Sequence, residues 1–307
     1  MLVVSFLRES ARYEGECYEE VATCVGRHQA DAGPACTYVV VAHPAGSRPA
    51  AGVGPHSGCQ TARRHGARRR ADRGEQTSGR IRIPPRLDLR RRDFYIGSAL
   101  IKHPQGDLLV DAGFGRDIAR QFSTMPRYFQ AITKYEAWKS AADQLRAASY
   151  DFGRLKAILL THAHWDHMSG MPDFPGLPIM VTARDKAFFE SSAALGPFGP
   201  PSFGPPFTET PFNWQVFDFE GGPYLGFARS HDVYGDGSIV CVPAPGHTPG
   251  SIVIFVTLPR NVRYGFVGDL VWQREGLTRR VERPRLVQLL GDTDPDGTRQ
   301  TSCEWSR

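Results

Sequence analysis

Thr161-His162-Ala163-His164-Trp165-Asp166-His167 sets four candidate metal ligands within the six residues from His162 to His167. It follows Leu155-Lys156-Ala157-Ile158-Leu159-Leu160, an apolar run that reads as a buried strand. Side chains at the end of a buried strand are held rigidly and project from the sheet edge. His162 and His164, two residues apart, face one ion. Asp166 and His167 lie past the strand end, where a helical turn aims them at a second ion nearby. Imidazole and carboxylate donors suit zinc, manganese, iron or cobalt, and the sequence does not choose among them. A single histidine is usually a surface or core residue, whereas an H-x-H-x-D-H run reads as a metal site.

Three further stretches stand in order around this cluster. Leu108-Leu109-Val110-Asp111-Ala112-Gly113 precedes it; Pro245-Gly246-His247-Thr248-Pro249-Gly250-Ser251 and Phe266-Val267-Gly268-Asp269 follow it. Over about residues 93 to 272, a little more than half the chain, the four motifs resemble the metallo-β-lactamase superfamily of metallohydrolases. Within that superfamily the likeness is to small-molecule hydrolases such as lactonases and glyoxalase II-like thioesterases. The resemblance implies an α+β or α/β fold, the four-layer αβ/βα sandwich of the metallo-β-lactamase type. It also implies that His162, His164 and His247 hold a first metal, that Asp166 and His167 hold a second, and that Asp269 bridges the two. Asp166 then also serves as the catalytic proton donor to the leaving group. Asp111 stands behind the ligands, accepting a hydrogen bond from a ligand histidine or from the ligand loop.

The residues agree with these roles. His247 sits in a stiff loop between Pro245 and Pro249, and Asp269 ends a strand just after Gly268. The expected activity is hydrolysis of a small ester, lactone or thioester by a metal-activated hydroxide. A catalytically weak metal-binding protein and a nucleic-acid phosphodiesterase of the same superfamily are the alternatives. No Gly-x-Ser-x-Gly elbow, phosphate-binding loop or dinucleotide fingerprint occurs, so serine-nucleophile, nucleotide and hydride chemistry have no support.

Two departures bear on that reading. No histidine follows His247, although the superfamily supplies one more downstream of its Gly-Asp strand. The cofactor expectation is therefore one tightly held zinc and a second, weaker ion, with manganese, iron or cobalt as substitutes. Lactonases of the superfamily often place a tyrosine shortly after the bridging aspartate, where this chain has Val271, Trp272 and Gln273.

The 307-residue chain is 41% hydrophobic and carries a net charge of +5. Residues 1–92 differ from the rest. They contain no lysine, and twelve arginines crowd Arg63 to Arg92. Thr37 to Ala42 is one strand candidate; otherwise the composition is too poor in apolar residues to offset ordering entropy. A disordered basic arm, an anionic-surface contact and the product of a shifted reading frame all fit it. The arginines lack interleaved aromatics, so nucleic acid is not an expected partner. A small-molecule substrate is. The expected organisation is an arm over 1–92, the metallo-β-lactamase-like domain over 93–290, and a polar, disordered tail over 291–307.

No run of eighteen apolar residues is present, and charges follow the short apolar start at once, so a cytoplasmic protein with no membrane span is expected. Helices are expected over 117–129, interrupted by Met125-Pro126, and over 135–148; Pro104-Gln105-Gly106-Asp107 is a turn, and strands are expected near 94–103, 214–219, 226–230, 238–243, 251–257 and 264–267. Gly196 to Pro211 combines Pro, Gly and Phe without periodicity. Phe198, Phe203 and Phe207 of that loop are candidates for a substrate-pocket wall.

Overall fold

The computed structural model describes residues 3–6, 43–44, 96–192, 207, 209–259, 262–272, 276–277 and 282–305. Eleven strands form two sheets among these residues. The first sheet contains β1 (Val3–Phe6), β3 (Ala99–Lys102), β4 (Asp107–Val110), β5 (Leu155–Leu159), β6 (Ile179–Thr182) and β7 (Trp214–Phe217), side by side in that order. The second runs β2 (His43–Pro44), β11 (Val262–Phe266), β10 (Ile252–Leu258), β9 (Ile239–Pro243) and β8 (His231–Asp232).

The strands β4 to β7 pair in parallel, while every pairing in the second sheet is antiparallel. Parallel neighbours need crossovers, and helices occupy them. These are α1 (Ile118–Ser123), α2 (Arg127–Ile132), α3 (Ala141–Ala147), α4 (Trp165–Met168) and α5 (Ala183–Ser192). Two more, α6 (Arg285–Gly291) and α7 (Pro295–Trp305), end the chain.

The period-two alternation of strand side chains divides the core. Ala99, Ile101, Leu108, Val110, Ala157 and Leu159 meet Ile239, Cys241, Ile252, Ile254 and Phe266 between the sheets. Their neighbours Leu100, Leu109 and Ile158 point the other way, onto Ile118, Ala142 and Leu145 of the helices. On the outer face of the second sheet Val242, Val253 and Phe255 pack with Leu270, Val271 and Leu277. This is the two-sheet sandwich expected from the sequence.

The interruption expected at Met125-Pro126 splits the 117–129 stretch into two helices, Pro126 stopping the first and capping the second. Other boundaries differ from expectation for local reasons. The 135–148 helix shortens to α3, since Ser140 Oγ accepts from Asp143 N and sets the start there. Trp138 is left outside the helix and 40% exposed. Residues 226–230 form isolated bridges, and the strand lies one step later, in β8.

The ends of the chain differ more. Val3–Phe6, inside the stretch expected to be an arm, pairs antiparallel with β3, and His43–Pro44 pairs with β11. The strand candidate over 37–42, the arginine-rich run and Phe198 and Phe203 lie outside the described residues. The stretch expected to be a tail instead holds α7. Asp294 Oδ1 accepts from the backbone of Asp296 and Gly297 ahead of Pro295 at the first helical position. Its buried face carries Thr298 and Thr301, polar residues that give no apolar periodicity to read.

Functional loops gather at one end of the sandwich. Asp111 follows β4, the His162–His167 run follows β5, and Asp185 follows β6. From the other sheet come the 244–251 loop between β9 and β10, and Gly268–Leu270 after β11. Ligands of open parallel sheets sit at the carboxyl ends of strands for the same reason: helix-bound loops diverge there and leave a crevice. Ile252 N donates to Thr161 O across the junction (2.9 Å), tying the two sheets at this end.

Candidate metal centre

The strand end and the first turn of α4 carry His162, His164, Asp166 and His167 into one buried cluster with His247 and Asp269. Ligand atoms of His162, His164 and His247 lie within 4.8 Å of one another, as do those of His162, His167 and Asp269. His164 Nδ1 is 2.8 Å from His247 Nε2. Asp269 lies between the two sets, with Oδ2 3.3 Å from His247 Nε2 and Oδ1 3.3 Å from His167 Nε2. Asp166 Oδ2 is 3.9 Å from His167 Nε2. All six residues singled out from the sequence are thus brought together.

Hydrogen bonds to the far ring nitrogens aim the imidazoles. His167 Nδ1 donates to Asp111 Oδ2 at 2.6 Å. His247 Nδ1 donates to Asp292 Oδ1 at 2.8 Å. His162 Nδ1 is 3.1 Å from Thr161 Oγ1, whose own proton goes to Asp111 Oδ2 at 2.7 Å. Each arrangement puts the proton on Nδ1 and turns the Nε2 lone pair inward, the tautomer a metal ligand needs. His162 Nε2 and His167 Nε2 are buried with no hydrogen-bond partner. Orphaned buried nitrogens are costly unless something accepts their lone pairs. A divalent cation does so, and the nitrogen and carboxylate donor set fits zinc.

Electrostatics divide the protein groups: His162 and His164 are held neutral, while, against burial, the acids around His167 and His247 draw those rings toward the charged form. Burial and the neighbouring imidazoles hold His162 and His164 well below the usual histidine range, so they stay neutral and able to ligate. Burial opposes the charge on His167, but Asp111 and Asp166 outweigh it and hold that ring well above its ordinary value. Burial likewise works against the Asp269 carboxylate, yet His167 and His247 keep it well below the carboxylate range. Burial pushes the Asp166 carboxyl up to about 6.

Asp111 is tied to the ligand run at two points. Its Oδ1 accepts from Thr161 N at 2.7 Å, so one carboxylate holds both the entry to the ligand run and His167. It does so from a left-handed backbone, φ +52°, which an aspartate tolerates better than most residues.

Four residues not singled out from the sequence support the centre. Trp272 Nε1 donates to Asp269 Oδ2 at 2.7 Å, from the stretch where the superfamily's lactonases often carry tyrosine. Asp292 holds His247, and Arg283 Nη2 donates to Asp292 Oδ1 at 2.7 Å while its guanidinium lies over the Trp272 ring. Asp185 is fully buried behind both ligand loops. The only sequence signal for Asp292 was its place before the Asp294-Pro295 helix start.

Three further aromatic rings lie in or near the fold's loops, and one of them, Phe207, is a pocket-wall candidate in the sequence. Phe207 is buried in the helix-side core against Phe189 and Phe212, ring centroids 6.2 and 5.3 Å away. Phe188 of α5, half-buried, has its ring 5.7 Å from that of His164. His103 is structural: Nε2 meets Asp236 Oδ2 at 3.0 Å and its ring stacks on Tyr234, linking the two sheets' turns.

The His247 loop depends on Gly246, whose φ is +139°. A Cβ there would overlap the backbone nitrogen of Thr298 in α7. Gly246→Ala is therefore expected to destabilise the fold by about 2 kcal/mol or more, from strain plus overpacking. A denaturant midpoint unchanged from the parent would refute it.

The family follows from comparison with known proteins. Residues 92–303 match the model of the metallo-beta-lactamase superfamily, and the chain belongs to that superfamily. It is 28% identical over 172 residues to the N-acyl homoserine lactonase AttM of Rhizobium radiobacter, covering 53% of this chain and 59% of the relative. It is 31% identical over 173 residues to the "Probable metallo-hydrolase Rv2300c" of Mycobacterium tuberculosis, covering 51% of each. The chain thus spans little more than half the length of the curated relatives it matches. A solved N-acyl homoserine lactone hydrolase, with N-hexanoyl-L-homoserine bound at its catalytic metal center, shares the fold. Its TM-score is 0.55 at 16% identity, over 74% of this chain and 80% of that one.

Proposed function

We propose that this protein is a metal-dependent hydrolase of small lactones, with esters and thioesters as related substrates. The observation that carries the reading is the pair of ligand sets that share His162, with the His162 and His167 Nε2 atoms orphaned inside them. The AttM match supports the lactone class. Bound divalent ions supply Lewis acidity and lower the pKa of water toward neutrality.

The chain's own residues do the rest. His162, His164 and His247 would hold the first ion, and His167, Asp166 and Asp269 would hold the second. Trp272 keeps Asp269 turned toward both sets. In hydrolysis water adds to the carbonyl, the ring C–O bond breaks, and the leaving alkoxide takes a proton. Asp166, at the edge of the second set with Oδ2 3.9 Å from His167 Nε2, is the carboxyl placed to deliver that proton. Phe188, half-buried beside His164, offers apolar surface to the acyl side of the substrate. Zinc is the metal of this reading. Among the described residues no helix is long and apolar enough to cross a membrane.

One observation qualifies the second ion. His162 belongs to both ligand sets, and its one inward nitrogen serves one ion at a time. Calorimetric titration of zinc into the apoprotein is expected to show one tight site and a second at least about tenfold weaker. Lactone hydrolysis should rise as the second site fills. A panel of lactone, ester, thioester, β-lactam and phosphodiester substrates is expected to rank lactones first. Metal binding with no turnover of any of them would favour the catalytically weak alternative, and a phosphodiester preference would overturn the substrate class.

A further inference from the structure

The metal centre is assembled from two sheets. His162 and His164 ride on the end of β5 in the first, and His247 on the β9–β10 loop of the second. Their donor atoms must agree within a few tenths of an ångström to share one ion, so something at this junction has to fix one loop against the other.

We propose that Asp185 is the positioning residue for the first metal, a single carboxylate that clamps the two ligand loops together. Its Oδ2 accepts from Ala163 N at 2.7 Å, the amide between His162 and His164. The same oxygen accepts from Thr248 Oγ1 at 3.0 Å, the residue after His247. Its Oδ1 accepts from Gly250 N at 2.7 Å. Asp185 is itself held at the start of α5, where its backbone N–H donates to Thr182 Oγ1 and that hydroxyl donates to Gly250 O at 2.9 Å. A Cβ on Gly250 would overlap Thr182 Oγ1, so the loop approaches this closely only because it carries glycine there.

The chemistry of the position calls for a carboxylate. All three partners are donors, and an ionised carboxylate is acceptor-only with lone pairs enough for them. An asparagine would turn an NH2 group against one of the donors and release one loop. Among the described residues Asp185 makes no hydrogen bond to a ligand side chain, so its effect on the metal passes through the two loops it holds.

The inference rests on the metal-centre reading above and is tested by binding rather than turnover. Cobalt affinity and the visible absorption of the cobalt-loaded protein are measured for the parent, Asp185→Asn and Thr248→Val. Asp185→Asn with native circular dichroism is expected to bind the first cobalt ten- to a hundredfold more weakly than the parent, with an altered absorption envelope. Parental affinity and an unchanged spectrum in a natively folded Asp185→Asn would overturn the proposal. Where Asp185→Asn does not fold, Thr248→Val decides. It removes one clamp contact and leaves Asp185, and weakened affinity with a shifted spectrum supports the clamp, while parental values overturn it. A parent that binds no cobalt is a different outcome: it overturns the proposed function, and the clamp with it.

Discussion

Replacing both His162 and His164 by alanine is expected to abolish tight metal binding and to lower hydrolysis by at least about a thousandfold. That exceeds the ten- to hundredfold cost typical of losing an outer partner of a ligand, because two of three imidazoles of the first set are gone. The fold should survive. Both rings are held neutral by burial, so no charge is left uncompensated when they go. Metal content by atomic emission, set against circular dichroism of the same sample, checks both parts. Stoichiometric metal in the folded double variant would sink the assignment of the centre.

Asp111→Ala should cost the fold about 3–5 kcal/mol, the range for removing one partner of a buried ion pair. Three donors lose their acceptor at once: Thr161 N, Thr161 Oγ1 and His167 Nδ1. Alanine must also adopt φ +52°, which adds strain. In the metal-free protein the effect has a pH signature. His167 is held well above its ordinary 6.5, so the charged part of its pairing with Asp111 stabilises fully below about pH 6.5. That part is lost as the pH rises through the higher folded value. Urea unfolding of parent and variant at several pH values measures it. Asp111→Asn tolerates the left-handed backbone and keeps one acceptor, so it should lose less. A loss below about 1 kcal/mol in Asp111→Ala would mean that Thr161 and His167 are held by other groups.

The metal ligands were legible because their chemistry is concentrated. Four stand in six residues after an apolar run, and the other two stand beside glycines at a loop and a strand end. The groups that aim those ligands were not. Asp185 looked like an ordinary acidic residue in the first turn of a helix, and Asp292 fell in a stretch that reads as a polar tail. Their importance comes from contacts across 65 and 45 positions of chain, to Gly250 and to His247. Local pattern does not encode such separations. Trp272 stood in plain view three residues after Asp269, but its role depends on the indole N–H pointing back to the carboxylate.

The sequence by itself determined the strand periodicity, the breaks at Pro126 and Pro104-Gln105-Gly106, and the order of ligand motifs that marks the superfamily. Side-chain alternation and turn chemistry act over a few residues, so they can be read from a line of text. Only the tertiary structure decided that Val3–Phe6 joins the first sheet, that α7 closes over Gly246, and that one carboxylate spans both ligand loops. Those outcomes turn on which donors find acceptors once two sheets pack face to face. A buried polar group is satisfied by whatever the fold brings within about 3 Å, however far away in the chain it began.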